Sequence, residues 1–178
     1  MRKLRFGAAA ALAAAGLLAA GCSGGTAPKP EPSTEPTTSN ALASFDPCTA
    51  LTPTEIRSFG AAPEGKPNDL GIGEVGCDYM GEDFEFGVLK AGKSDEAYWQ
   101  QRRNSFDAFT PNQVGSHSGF AGIALSGKGQ GVCRQMMYVG SGSVIVDITY
   151  SADKIQSDDA TCAKAMEIAQ VVEPKLPM

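Results

Sequence analysis

The sequence predicts an α+β domain in which helices pack on an antiparallel sheet, and three observations carry that expectation. Helix-capping patterns stand near both ends of the globular region, short alternating apolar segments separated by glycine turns lie between them, and four cysteines are spread across the whole. The implied order of helix, hairpin, helix, several strands and helix leaves the consecutive strands to pair antiparallel. Residues 41–178 suffice for one core and are too few for two.

Ahead of that domain, Met1-Arg2-Lys3-Leu4-Arg5 precedes an Ala/Leu/Gly run from Phe6 to Ala20, followed by Gly21-Cys22. This is the order of a bacterial export signal over residues 1–21. The run is shorter than the roughly 20 residues needed to cross a bilayer. Leu18-Ala19-Ala20-Gly21-Cys22 provides the small residues and cysteine of a lipobox, with Leu one place early, so Cys22 is the expected lipid attachment site. A diacylglyceryl group there would anchor the chain, because two acyl chains hold a membrane durably where one does not. Residues 22–40 continue as a Pro/Thr/Ser-rich tether without aromatic or large aliphatic residues, a composition that cannot offset the entropy of ordering. The expected location is the extracytoplasmic face of the cell membrane.

Cys48, Cys77, Cys133 and Cys162 form an even set in an exported domain, which argues for two disulfides. Three pairings are open. Cys48 with Cys77 and Cys133 with Cys162 is favoured, because each closes a loop of about 30 residues between neighbouring elements, stabilising by roughly 3 to 4 kcal/mol in the chain-entropy description.

Within the domain, Leu51-Thr52-Pro53-Thr54-Glu55-Ile56 reads as a capping box with a hydrophobic staple, opening a short helix that stops at Gly60. Ala61 to Gly76, rich in Gly and Pro, reads as an irregular loop. Cys77–Met80 and Phe84–Ala91 form a hairpin around Gly81-Glu82-Asp83, with Phe84, Phe86 and Val88 on one face. Ser94 is the expected cap of a second helix, begun by Asp95 and Glu96, whose stripe of Trp99, Phe106 and Phe109 is read as core in preference to a ligand platform. Gln113–Ser116, Ala121–Leu125, Val132–Val139 and Ser143–Tyr150 are strand candidates, the last two joined by Gly140-Ser141-Gly142. Ser157 caps a last helix begun by Asp158 and Asp159, buried through Cys162, Ala165, Ala169 and Val172, and stopped near Pro174.

The lipobox, the tether, Phe45-Asp46-Pro47-Cys48 leading into Leu51-Thr52 and Glu55, the Cys77-x-aromatic strand, Val132-Cys133, Cys162-Ala163 with Ala165, and the closing Leu176-Pro177 together resemble an actinobacterial lipoprotein family that carries a domain of unknown function, family 3558. Tyr79 stands where such proteins more often have Trp. The resemblance implies an exported, membrane-anchored domain similar to Mog1/PsbP-like α/β/α sandwiches. It implies no activity.

The residue inventory narrows function by exclusion. The chain has 15 Lys+Arg and 20 Asp+Glu; removal of Arg2, Lys3 and Arg5 with the signal leaves 12 basic residues against 20 acidic, a net charge of −8. Such a surface repels nucleic acid, which is not an expected partner. No cofactor or metal is expected: there is no C-x-x-C or H-x-x-x-H pair. Gly71-x-Gly73-x-x-Gly76 matches a dinucleotide fingerprint in letters only, since it precedes a strand and opens no helix. The single His117, between Ser116 and Ser118, reads as a solvated loop histidine, not as a base for a nucleophile. Asp78, Glu82, Asp83 and Glu85 crowd one hairpin and read as solvated turn charges, while a catalytic pair among them would make a small envelope hydrolase. The expectation is a non-catalytic binding domain for an envelope protein, lipid or glycan, with the 61–76 and 115–131 regions as adaptable surfaces. A sensory or regulatory accessory of a membrane protein is the second reading. Trp99, His117 and Arg134 are the expected ligand-lining residues, being of types common in recognition.

Overall fold

A computed structural model describes residues 41–177. The expected signal segment 1–21, Cys22 and the tether to residue 40 lie outside the described residues. The strands are β1 (Lys66–Asp69), β2 (Glu74–Met80), β3 (Phe84–Ala91), β4 (Phe106–Val114), β5 (His117–Ala124), β6 (Val132–Val139) and β7 (Gly142–Tyr150). All seven join one antiparallel sheet in the order β1-β2-β3-β7-β6-β5-β4. With α1 (Pro53–Ser58), α2 (Glu96–Gln101) and α3 (Asp158–Val172), the architecture is α+β.

The two faces of the sheet are sealed differently. On one, Cys77, Tyr79, Phe86, Val88, Val144, Val146, Ile148, Met137 and Val139 meet Ile56 and Phe59 of the α1 region and Ala165, Ile168, Ala169 and Val172 of α3. Tyr79 stacks on Phe86 with centroids 5.0 Å apart, and Phe59 meets the same ring edge-on at 6.1 Å. On the other, a smaller cluster gathers Trp99 of α2 with Leu89, Ala91, Phe109, Phe120, Met136 and Ile145.

The predicted caps of α1 and α3 are present. Thr52 and Glu55 form the reciprocal capping box of α1, and the Ser157 side chain accepts the Ala160 N–H at the start of α3. Cys48 bonds to Cys77 and Cys133 to Cys162, with Cα separations of 5.0 and 5.1 Å. The first fixes the entering chain to β2 and the second fixes α3 to β6.

Four expectations need correction. The 61–76 loop contains β1 and the start of β2; β1 is an exposed edge strand whose Pro67 is tolerated there, so it shows no apolar alternation. The cap of α2 is Asp95, whose side chain accepts the Tyr98 N–H at 2.9 Å, and not Ser94. That helix stops at Gln101, so Phe106 and Phe109 stand on β4. They still meet Trp99 because β4 delivers them to the face that α2 covers. Finally, Gln113–Ser116 is the end of the nine-residue β4 and its turn, and β5 begins earlier, at His117.

Candidate functional site

The smaller apolar cluster covers only part of its sheet face; the remainder, at the Met80, Phe84 and Tyr150 end of the strands, is floored by polar side chains. Register places Asp78, Gly87, Asp147, Arg134 and Gly122 in one row across β2, β3, β7, β6 and β5. The period of two along each strand turns all five to the same face. Gly87 makes the convergence sterically feasible: a Cβ there would lie 2.3 Å from Asp147 Oδ1 and 2.9 Å from Asp78 Oδ1. The two carboxylates therefore lean toward each other over bare backbone.

Arg134 binds this row together. Its Nη2 donates to Glu74 Oε2 at 2.5 Å and to Asp147 Oδ2 at 3.5 Å, and its Nη1 donates to Glu74 Oε1 at 3.3 Å. This two-pronged contact with Glu74 is the strong form of the pair. Asn68 of β1 donates to Asp78 Oδ2 at 2.7 Å. A cavity of about 190 Å³ opens beside these groups, lined by Gly122, Ala124, Val132, Arg134, Asp147 and Thr149 among others.

The electrostatics of the row are uneven. Burial pushes the Asp147 carboxyl above its usual range, and the neighbouring charges of Asp78 and Glu74 add to that, against the pull of Arg134. Glu85 is likewise raised, first by burial and then by Asp78 and Asp147, with Lys66 opposing. Burial also works against the Arg134 charge, but Glu74 and Asp147 more than offset it and its pKa is raised. Perturbed carboxylates on a rigid, partly open surface are a physical mark of a functional site. Among the described residues, no group of three or more His, Cys, Asp or Glu is arranged to hold a metal ion.

The three expected ligand residues go to three separate networks. Trp99 is 5% exposed, packs in the smaller apolar cluster and donates its indole N–H to Ser143 Oγ at 3.0 Å, so it is core. His117 is not a solvated loop residue: it opens β5, and its Nδ1 lies 2.9 Å from Glu173 Oε1 and 3.3 Å from Ser116 Oγ. Ser116 and Glu173 share one ring nitrogen, which differs from a nucleophile triad, where base and nucleophile occupy opposite nitrogens. Glu173 also accepts the Ser116 N–H at 2.9 Å, and with His117 this holds its carboxyl down at about 2. The arrangement latches the chain just after α3 to the β4–β5 turn. Arg134 alone of the three stands in the polar row.

Sequence reasoning missed Glu74, Gly87 and Asp147 as site residues. Alternation along Ser143–Tyr150 sets Asp147 on the face opposite Val144, Val146 and Ile148, and Arg134 alternates in the facing strand; pairing those two strands by register is the signal that joins them. Glu74 carries no comparable signal, because β1 and the first residues of β2 lie within the stretch that reads as a loop.

The family model described as "Protein of unknown function (DUF3558)" matches residues 17–175, and the chain belongs to that family. Comparison with curated proteins and with solved structures found no match.

Proposed function

We propose, from this membership and the polar row, that the chain is an exported, lipid-anchored envelope protein of actinobacterial type whose domain binds a ligand without transforming it. The anchoring reading rests on the export signal, the lipobox and Cys22. Placement of α1 and α3 on one sheet face and α2 on the other supports a Mog1/PsbP-like α/β/α sandwich.

The observation that carries the binding reading is the row of Arg134, Asp147 and Asp78 with Glu74 paired to its arginine, held partly buried on three strands beside an open cavity. Carboxylates with one guanidinium suit a ligand rich in hydroxyl or ammonium donors, such as an envelope glycan or a basic segment of an envelope protein. The test is titration calorimetry of the domain with soluble cell-wall glycan fragments and with basic peptides, comparing the native chain with Asp147→Asn and Arg134→Met. Binding that both substitutions weaken at least tenfold is expected; binding that neither changes assigns the ligand elsewhere. Non-reducing intact and peptide mass spectrometry of protein from an actinobacterial host checks the anchor, with a diacylglyceryl group on Cys22 as the expected result.

Hydrolysis is the second reading, favoured by one observation: Asp78 and Asp147 face each other over Gly87, a pair of converging carboxylates of the kind that acid and base roles need. Product release from the same glycans, lost in Asp147→Asn, would replace the binding reading by this one.

A further inference from the structure

The β1–β2 connection, Leu70-Gly71-Ile72-Gly73, is an apolar tip that the fold does not use. Leu70 is 43% and Ile72 69% exposed. Gly71 and Gly73 have φ of +69° and +87°, and nothing stands within 4 Å of where their Cβ atoms would be. Left-handed backbone, not packing, is therefore what glycine supplies there. The tip is nonetheless held in shape. Leu70 N–H donates to Glu74 O at 3.1 Å, Gly71 N–H donates to Asp69 Oδ1 at 2.9 Å, and Glu74 is clamped by Arg134.

The position of the tip relative to the entering chain suggests what meets it. Residues 1–40 precede the described structure and lead into Ala41, whose Cβ lies 3.3 Å from the place of a Cβ on Gly140 in the β6–β7 turn. Glu74 pairs with Ala91 and Ala91 with Ser143, so the β1–β2 tip and the β6–β7 turn project from the same end of the sheet. Exposed Lys93, just after β3, shares that end. The other exposed large aliphatics among the described residues, Met80, Leu125 and Ile155, lie toward the opposite end on three different connections and form no tip.

We propose that Leu70 and Ile72 dip into the lipid surface beside the anchor, setting the domain end-on to the membrane with the tip as a second contact. This rests on the reading that Cys22 carries lipid. A tether of 18 residues, Ser23 to Asn40, spans roughly 60 Å at full stretch. It holds the tip near the bilayer at an effective concentration in the millimolar range, so a contact too weak to bind alone becomes populated. The satisfied Leu70 and Gly71 N–H groups lower the cost of moving the tip's backbone out of water.

The test places a reporter at the tip of the full lipidated chain, Ile72→Trp, in vesicles of phosphatidylcholine and phosphatidylglycerol with brominated acyl chains. Leu125→Trp at the far end is the control, and the native chain with Trp99 alone supplies the background. Quenching and a blue shift for Ile72→Trp, absent for Leu125→Trp and lost when Leu70→Asp is added, are the expected results. Equal quenching at both positions, or none at position 72 on vesicles that carry the protein, overturns the proposal. A chain that does not float with vesicles lacks its lipid, and the anchor reading fails by itself. The same reporters are then read on chelating-lipid vesicles holding a polyhistidine extension ahead of residue 22, where absence of tip quenching again overturns the proposal.

Discussion

The two faces of the one sheet are built on opposite electrostatic principles. The face under α1 and α3 is mainly apolar, with its buried Gln135 hydrogen-bonded to Asn112, and two carboxylates beside it, Glu55 in α1 and Glu173 just after α3, are held below their usual range by hydrogen bonds, from Lys175 and Thr52 in one case and from Ser116 and His117 in the other. The face under α2 is apolar only in part, and Asp147 and Glu85 in its open portion are held above theirs by burial. A lowered carboxylate stabilises the fold at neutral pH, whereas a raised one costs stability there. The first face is thus arranged for stability, and the second keeps charges that stability alone does not explain.

Replacing Phe86, fully buried at the centre of the first face, breaks that contrast most severely. Phe86→Ala should lose about 3–5 kcal/mol in denaturant unfolding, through lost burial and the cavity left behind. A loss below about 1 kcal/mol would show that the first face is not the main source of stability.

Gly87→Ala probes the open portion of the second face from beneath. Its Cβ would stand where Asp147 and Asp78 converge, so the row must spread at a cost of about 1–3 kcal/mol. Ligand affinity should fall with it. Unchanged stability and affinity would mean that the two carboxylates do not need this spacing.

Acid titration separates the faces by sign. Glu173 has its pKa lowered from 4.5 to about 2, so its contribution is present above pH 4.5 and is lost as the pH falls toward 2. Glu173→Gln should therefore flatten stability against pH in that window, checked by chemical denaturation at each pH. An undiminished slope would assign the acid sensitivity to other groups.

The smallest change is expected from Asp147→Asn. A raised pKa favours the folded state most below the ordinary value of 3.8, and that advantage is lost as pH rises through the folded-state value. At pH 7 the neutral amide should leave stability equal or slightly higher, Arg134 keeping Glu74 as its closer partner. A marked loss would make Asp147 a structural ion-pair member instead of a ligand group.

The contrast between the faces also marks how far the sequence could be read. The helix-covered face was legible because its rules are local: Thr52 and Ser157 announce their helices, and Phe86 and Val88 alternate. The cysteine pairing followed from loop length. The other face depends on register among strands distant in sequence, which no local pattern records. Arg134 is an expected ligand-lining residue from its type alone, and only pairing across β7 and β6 makes Asp147 its partner. Trp99, Phe106 and Phe109 were correctly grouped as core although helix and strand share them, because two elements facing one cluster can imitate a single helical stripe. His117 was misread because its partner, Glu173, is 56 positions away.

The sheet order has a consequence for assembly. Strands β1 to β3 form one meander and β4 to β7 another, and their main chains pair only where β3 meets β7, from Phe84 opposite Tyr150 to Ala91 opposite Ser143. Each disulfide closes within its own half, Cys48–Cys77 before that seam and Cys133–Cys162 after it, and among the described residues no covalent link other than the backbone near α2 crosses it. As the chain is delivered from its amino-terminal end, the first meander and its bond can form from residues already present. The last strand pairing to form is then the zipping of two oxidised sub-assemblies along one seam of main-chain hydrogen bonds, the pairing that closes the longest loop of any in the sheet.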